Sequence, residues 1–224
     1  MPVLALADFM LLEADFNDKI SETPIGTGGP DLGEPIAVQT SLSARVRETP
    51  FATKSLEIMR AVEGPTEAVI WEFVGSASVD VGHVTMSVDV VFDAIHDFTL
   101  LDVREQGSWS SAFCNIYSSV DGNFRLSDAA GYYGTIGSYT AGPEYNLQVI
   151  LDCENDTYDV FINGSPVVVD RSHGKVGVGI GRVAMKVVHS TPIDAAYSVD
   201  NLLITADEYT AAEGSTFSEL KAIY

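Results

Sequence analysis

Apolar and polar residues alternate along most of this chain with a period of two. The pattern is plainest from Tyr145 to Asp170, YNLQVILDCENDTYDVFINGSPVVVD. There Leu147, Val149 and Leu151 alternate with Asn146, Gln148 and Ile150, and Tyr158, Val160 and Ile162 alternate with Asp159, Phe161 and Asn163. Successive side chains of a strand point to opposite faces, so this period predicts strands that bury one face. The acidic, Asn-containing stretch between the two runs reads as a turn. Asn163-Gly164 accepts positive φ at both central turn positions, so the chain should reverse there and return through Pro166 to Val169 as an antiparallel meander.

A second clean case is His83 to Phe92, where Val84, Met86, Val88 and Val90 share one face while Thr85, Ser87 and Asp89 share the other. Further strands are expected at residues 10–16, 55–61, 68–74, 98–104, 112–118, 123–126 and 197–205, bounded by Gly, Asp, Ser or Pro. The Gly- and Pro-rich IGTGGPDLGEP, from Ile25 to Pro35, reads as a long loop. In residues 176–188 the glycines of KVGVGIGRV alternate with Val178, Ile180 and Val183, which predicts a bulged strand or a face against which something packs closely. GVGIG lacks the Lys-Ser/Thr ending and following helix of a phosphate loop, so nucleotide binding is not read from it. After the last strand only Phe217, Leu220, Ile223 and Tyr224 have helical spacing. Ser215 or Thr216 would cap a short C-terminal helix within a tail at 206–224.

The expected fold class is therefore all-β, with one domain over residues 1–224, since no low-complexity linker interrupts the chain. With 46% hydrophobic residues there is material for a sizeable core, and no apolar run approaches the roughly 20 residues that cross a bilayer. Membrane insertion is not expected. The formal charge of −20, from 12 basic and 32 acidic residues, opposes binding to phosphate backbones, so nucleic acid is excluded as a partner class. The same excess suits divalent cations or serves only as a solvated surface.

Two cysteines, Cys114 and Cys153, fall in predicted strands and allow either one disulfide or two free thiols. The opening MPVLALADF contains an Ala-Leu-Ala like the end of a secretory cleavage site, but no basic segment precedes it, and it reads equally as a first strand. Asn155-Asp156-Thr157 and Asn163-Gly164-Ser165 fit the glycosylation triplet, which matters only in a secretory eukaryotic setting.

Taken in order, LLEADFND, VTMSVDVVF, IYSSVDGNFRL, the meander and the closing SVDNLLI resemble a concanavalin A-like jelly-roll domain of the laminin-G-like type. The resemblance spans nearly the whole chain. It implies two packed antiparallel sheets, a frequent carbohydrate-binding role and often a calcium ion. In such domains the first and last strands usually lie side by side, which implies a structural calcium held by Glu13, Asp15, Asp200 and Asn201. The alternative is that these acids cap turns and bind backbone amides.

Sugar binding needs an aromatic platform with convergent polar groups. The segment from Trp109 to Tyr139 offers Trp109, Tyr132, Tyr133 and Tyr139, with Tyr117, among Ser, Asn and Asp, although two or three of these rings are expected in the core. Trp71, in AVIWEFV, is expected to be buried. The paired acids of glycoside hydrolysis are missing: the resembled glucanases carry Glu-x-Asp-x-x-Glu, and that string is absent. His83, His96, His173 and His189 are scattered, and no G-x-S-x-G occurs.

The leading expectation is a secreted or cell-surface, calcium-stabilised β-sandwich that binds carbohydrate or another extracellular surface without turning it over. The alternatives are a self-associating structural subunit that donates its N-terminal MPVLALADFM as an added strand, and a glycan-cleaving enzyme with an atypical acid pair.

Overall fold

The computed structural model describes residues 8–208. In chain order the strands are β1 (Phe9–Ala14), β2 (Ala37–Val38), β3 (Leu42–Arg47), β4 (Ser55–Arg60), β5 (Glu67–Glu72), β6 (His83–Phe92), β7 (Phe98–Arg104) and β8 (Cys114–Ser118). They continue as β9 (Asn123–Asp128), β10 (Gly131–Ser138), β11 (Glu144–Asp152), β12 (Thr157–Ile162), β13 (Ser165–Ser172), β14 (Arg182–Val187) and β15 (Ala196–Ala206). The fold is all-β, as the period of two predicts. Among the described residues no helix is long and apolar enough to cross a membrane.

Two antiparallel sheets form a sandwich. The first has eight strands in the order β13-β12-β11-β6-β15-β4-β3, with β1 also paired to β15; the second has seven, β10-β9-β8-β7-β14-β5-β2. The alternation seen in the sequence turns one set of side chains inward: Val84, Met86, Val88, Val90, Leu147 and Val149 from the first sheet meet Trp71, Val103, Ile116, Leu126, Val183 and Met185 from the second. Trp71 is fully buried, as expected. At one end Phe92 anchors an aromatic group with Phe98, Phe124, Tyr145, Tyr197 and, nearest at 4.4 Å between ring centroids, Tyr139.

The meander forms β11, β12 and β13, and its turn has Asn163 at φ 51° and Gly164 at φ 73°. The expected strand at 176–188 is shorter, because Gly174 and Gly177 take positive φ and the extended run begins only at Arg182. The close packing read from its glycines is present: a Cβ on Gly181 would stand 2.8 Å from the Ala77 carbonyl oxygen. Three strands were not expected, β2, β3 and β10. The edge strand β10 is almost wholly exposed apart from Ile136, so it shows no apolar period.

Other expectations are corrected. Cys114 is buried in the second sheet, Cys153 lies in the turn after β11 of the first, and both are free thiols. Of the proposed donor strand MPVLALADFM, Phe9 and Met10 begin β1 and already pair with the chain's own β15, Phe9 opposite Ala206 and Met10 opposite Thr205. The rest of that segment, 1–7, and the expected C-terminal helix lie outside the described residues.

Candidate functional site

The outward face of the second sheet carries the chemistry. Residues directly opposite in antiparallel strands share a face, so the register sorts that face into three rows. The first runs Glu72, Arg182, Arg104 across β5, β14 and β7. The second runs Ile70, Ala184, Asp102, Asn115, Ser127, Tyr132 from β5 to β10, and the third Ala68, Lys186, Thr99, Tyr117, Arg125, Thr135. Arg104, Arg125, Arg182 and Lys186, four of the chain's 12 basic residues, stand here with two row acids, Glu72 and Asp102. The ratio of bases to acids is the reverse of that in the whole chain.

Asp102 is fully buried on this face. Arg104 Nε donates to both of its oxygens at 2.9 Å, and Lys186 Nζ pairs with Oδ2. A buried carboxylate is sustainable only with such partners. Burial pulls the Lys186 ammonium below its ordinary value, against the opposing pull of Asp102. Beside it, Arg182 donates to Glu72 through Nε and Nη2.

Over this layer lies the loop joining β7 to β8. Trp109, 49% exposed, has the Arg104 and Arg182 guanidinium carbons 5.4 and 5.3 Å from its ring centroid and Lys186 Nζ 4.9 Å away. The three cations are only 9 to 15% exposed, whereas the indole they lie against stays half-exposed. The loop backbone is fixed on both sides of the tryptophan: Gly107 N donates to Glu72 Oε1 at 3.0 Å, Arg182 Nη1 to the Ser108 carbonyl at 3.3 Å, and Arg104 Nη1 to the Ser110 carbonyl.

Next to Trp109 is a depression of about 170 Å³ floored by Ala68 and edged by Gln39, Thr66, Glu67 and Lys186. Ala68, Ile70 and Ala184 form a small buried apolar patch on this otherwise polar face, because alanines leave the space a larger side chain would fill. Gln39 Oε1 accepts from Ala68 N at 2.6 Å. Glu67 accepts from Ser41 and Thr40, and these bonds hold its carboxyl below the usual range. The depression is smaller than the roughly 300–1,000 Å³ of enclosed small-molecule sites and suits one ring-sized unit lying on an open face. A larger depression, about 300 Å³, lies by β1, lined by Glu13, Asp15, Asp18 and Asp31 with Met10 and Leu32. Among the described residues it has no aromatic wall and no basic side chain, so the Trp109 face is the stronger candidate for a sugar.

The four expected aromatic residues do not form one platform. Tyr132, 61% exposed, shares the outward face but sits on β10, three strand spacings or about 14 Å from β7. Tyr133 turns to Arg171, whose guanidinium carbon is 4.7 Å from its ring centroid. Tyr139 is a correction: it is 3% exposed, its ring packs on Phe92 and Phe124, and its hydroxyl lies 2.9 Å from the His96 and Ser119 carbonyls.

The β1–β15 pairing sets Glu13 opposite Leu203 and ends at Ala14 opposite Leu202, next to Asn201 in sequence, and Asp15 lies close enough to Asp200 to act on its carboxyl. Asp200 is fully buried, accepting from Thr53 Oγ1 and from Asn201 N. Burial raises its carboxyl, with Asp89 and Asp15 adding to the effect. Asp15 Oδ1 accepts from Asn17 N, and Asn201 Nδ2 donates to Asp89. These bonds match the turn-capping alternative. Among the described residues no group of three or more His, Cys, Asp or Glu side chains gathers to hold a metal, so the four residues do not fit a calcium shell as they stand.

Sequence reasoning missed Asp102, Arg104, Arg182 and Lys186. Their signal was present in RVAMKV and in FTLLDVR, where charges alternate with apolar residues, but only the strand pairing sets them side by side.

No family model matches the sequence, and no curated relative matches it. Solved structures do match. A sialidase aligns at TM-score 0.63 and 16% identity over 92% of this chain and 19% of its own. Trypanosoma rangeli sialidase, in complex with a difluoro-nononic acid, aligns at 0.52 and 15% over 87% of this chain and 35% of its own. A carbohydrate esterase, vb_24B_21 of the Shiga toxin-encoding bacteriophage phi24B, aligns at 0.55 and 10% over 90% of this chain and 100% of its own. The chain thus spans about a fifth to a third of those sialidases. At such identities the likeness establishes a shared β-sandwich-like fold.

Proposed function

We propose that this chain is a concanavalin A-like jelly roll that binds carbohydrate on the outward face of its second sheet, with Trp109 as the stacking platform. The single observation that carries the reading is the half-exposed indole, pinned by Arg104, Arg182 and Lys186 beside an alanine-floored depression. A pyranose presents an apolar CH face that stacks on an aromatic ring while its hydroxyls bond to polar groups at the edge, here Gln39 and Thr66. A ring held before the ligand arrives loses little further freedom on binding. That several structural neighbours are a carbohydrate esterase and sialidases supports a carbohydrate ligand. The reading carries with it a secreted or cell-surface setting.

Binding is favoured over cleavage by the state of the carboxylates. Asp102 and Glu72 are each committed to cations, and a general acid must hold a proton near neutrality. The test is a glycan array probed with the wild-type protein and Trp109→Ala, together with a reducing-end assay on every glycan bound. Signal that disappears in the variant with no release of reducing ends supports the reading. Binding that survives the substitution overturns the assignment of the platform.

A further inference from the structure

The Trp109 loop has a third attachment, and it comes from outside the face it covers. Lys175 reaches over from the segment after β13. Its ammonium pairs with Glu105 at the start of the loop, donates to Ser110 Oγ at 3.0 Å, and lies 4.6 Å from the centroid of Phe113 at the loop's end. Glu105 also accepts from Ser110 Oγ at 3.0 Å. One side chain thus spans the loop on both sides of Trp109.

What positions Lys175 is His173. The imidazole is 2% exposed, stacks edge-on against Phe113 at 5.1 Å, and accepts the Lys175 backbone N–H at Nδ1 over 3.1 Å. Accepting at Nδ1 requires a lone pair there, so the bond exists only with the neutral ring protonated at Nε2. Between the two residues Gly174 has φ 73°, and a Cβ on it would meet Ala130 N at 3.0 Å, so the turn is tight and fitted against the β9–β10 connection.

We propose that His173, acting through Lys175 and Glu105, is a proton-operated latch that fixes the Trp109 loop when neutral and releases it when protonated. A proton on Nδ1 replaces an acceptor with a donor facing the Lys175 N–H. The 173–175 turn then loses its bond, a second positive charge appears beside the Lys175 ammonium, and that ammonium leaves Glu105 and Phe113. The charged groups facing His173 come from each packed element: Asp156 from the β11–β12 turn, whose carbonyl accepts His173 N at 3.2 Å, Asp128 from β9, and Lys175 from its own segment. The two acids favour the proton; Lys175 opposes it, and burial, the largest effect, keeps the ring neutral below the ordinary histidine range. Lys175 and Ser110 hold Glu105 below the usual carboxylate range, so it stays charged while His173 titrates.

The consequence for ligand capture rests on the carbohydrate reading, but the latch is tested without a ligand. The chain has two tryptophans, and Trp71 is fully buried, so acrylamide quenching of tryptophan fluorescence reports Trp109. Between about pH 7.5 and about pH 5, the wild-type quenching constant should rise with a midpoint below 6.5, while near-UV circular dichroism stays native. His173→Asn places an amide oxygen where Nδ1 stood and should remove the step. Lys175→Met should quench at the high level at both pH values, which tests the latch even if the histidine variant does not fold. A flat wild-type profile, a step that persists in His173→Asn, or wild-type quenching in Lys175→Met at the higher pH would each overturn the proposal. A fluorescence step without any glycan binding would leave the latch standing and sink the carbohydrate reading; binding without a step would do the opposite.

Discussion

Asp102 and Trp109 are held by the same two cations: Arg104 and Lys186 pair with the carboxylate and also lie against the indole ring. The buried acid therefore does work at the surface, because it fixes the two side chains on which the ring rests. Asp102→Asn leaves two poorly hydrated cations without their counter-charge. We expect a loss of about 3 kcal/mol in urea unfolding and easier quenching of Trp109. A change within about 0.5 kcal/mol, the range of ordinary surface substitutions, would show that the pair network does not matter.

Trp109 and Tyr139 should separate binding from stability. Trp109→Ala removes a half-exposed ring and should abolish glycan binding at a cost of about 1 kcal/mol. Tyr139→Phe removes a buried hydroxyl bonded to two carbonyls and should cost a similar amount, about 1 kcal/mol, while binding stays at the wild-type level. Both substitutions are read by thermal melts alongside the array. Loss of binding in Tyr139→Phe with full folding would return that ring to the site.

Asp200 gives a pH dependence with a definite sign. Burial raises its carboxyl in the folded state, so the folded protein holds that proton more tightly than the unfolded chain. Its contribution is fully present below the ordinary carboxylate value of 3.8 and is lost as pH rises from there through the raised value. Asp200→Asn should therefore raise the melting temperature at neutral pH and leave it unchanged near pH 3. Because Glu13, Asp15, Asp200 and Asn201 do not form a ligand shell, neither added calcium nor a chelator should move the wild-type melt. A calcium-dependent rise that vanishes in Asp200→Asn would restore the metal.

The cysteines should be inert. Cys114 is buried, and burial pushes the Cys153 thiol up to about 12. At neutral pH neither supplies much thiolate, the form that reacts. A thiol reagent should count close to two groups only after denaturation, and reductant should leave the melting temperature unchanged. A drop in melting temperature with reductant would reveal a disulfide.

How much the sequence disclosed followed the physics of each signal. Where a strand buries one face and leaves the other partly exposed, as β6 does, alternation located it to the residue; β7, buried on both faces up to Arg104, was legible through its boundaries instead. Edge strand β10 was invisible because nearly every residue in it meets water. Trp109 was legible as a candidate because a tryptophan among serines is unusual, whereas Tyr139 looked the same in the string and is buried by its packing on Phe92. The cations beneath Trp109 come from β7 and β14, nearly 80 residues apart. Register in a sheet is a long-range property, and no local window contains it.

The pairing of Phe9 with Ala206 has a consequence for how this molecule can be cut and rejoined. Partners in an antiparallel ladder stand about 5 Å apart, so a few residues of linker would join the two ends without distorting either sheet. Opening the chain instead at Asn163-Gly164, an exposed hairpin tip, would give a circular permutant with the same sheets in a new sequence order.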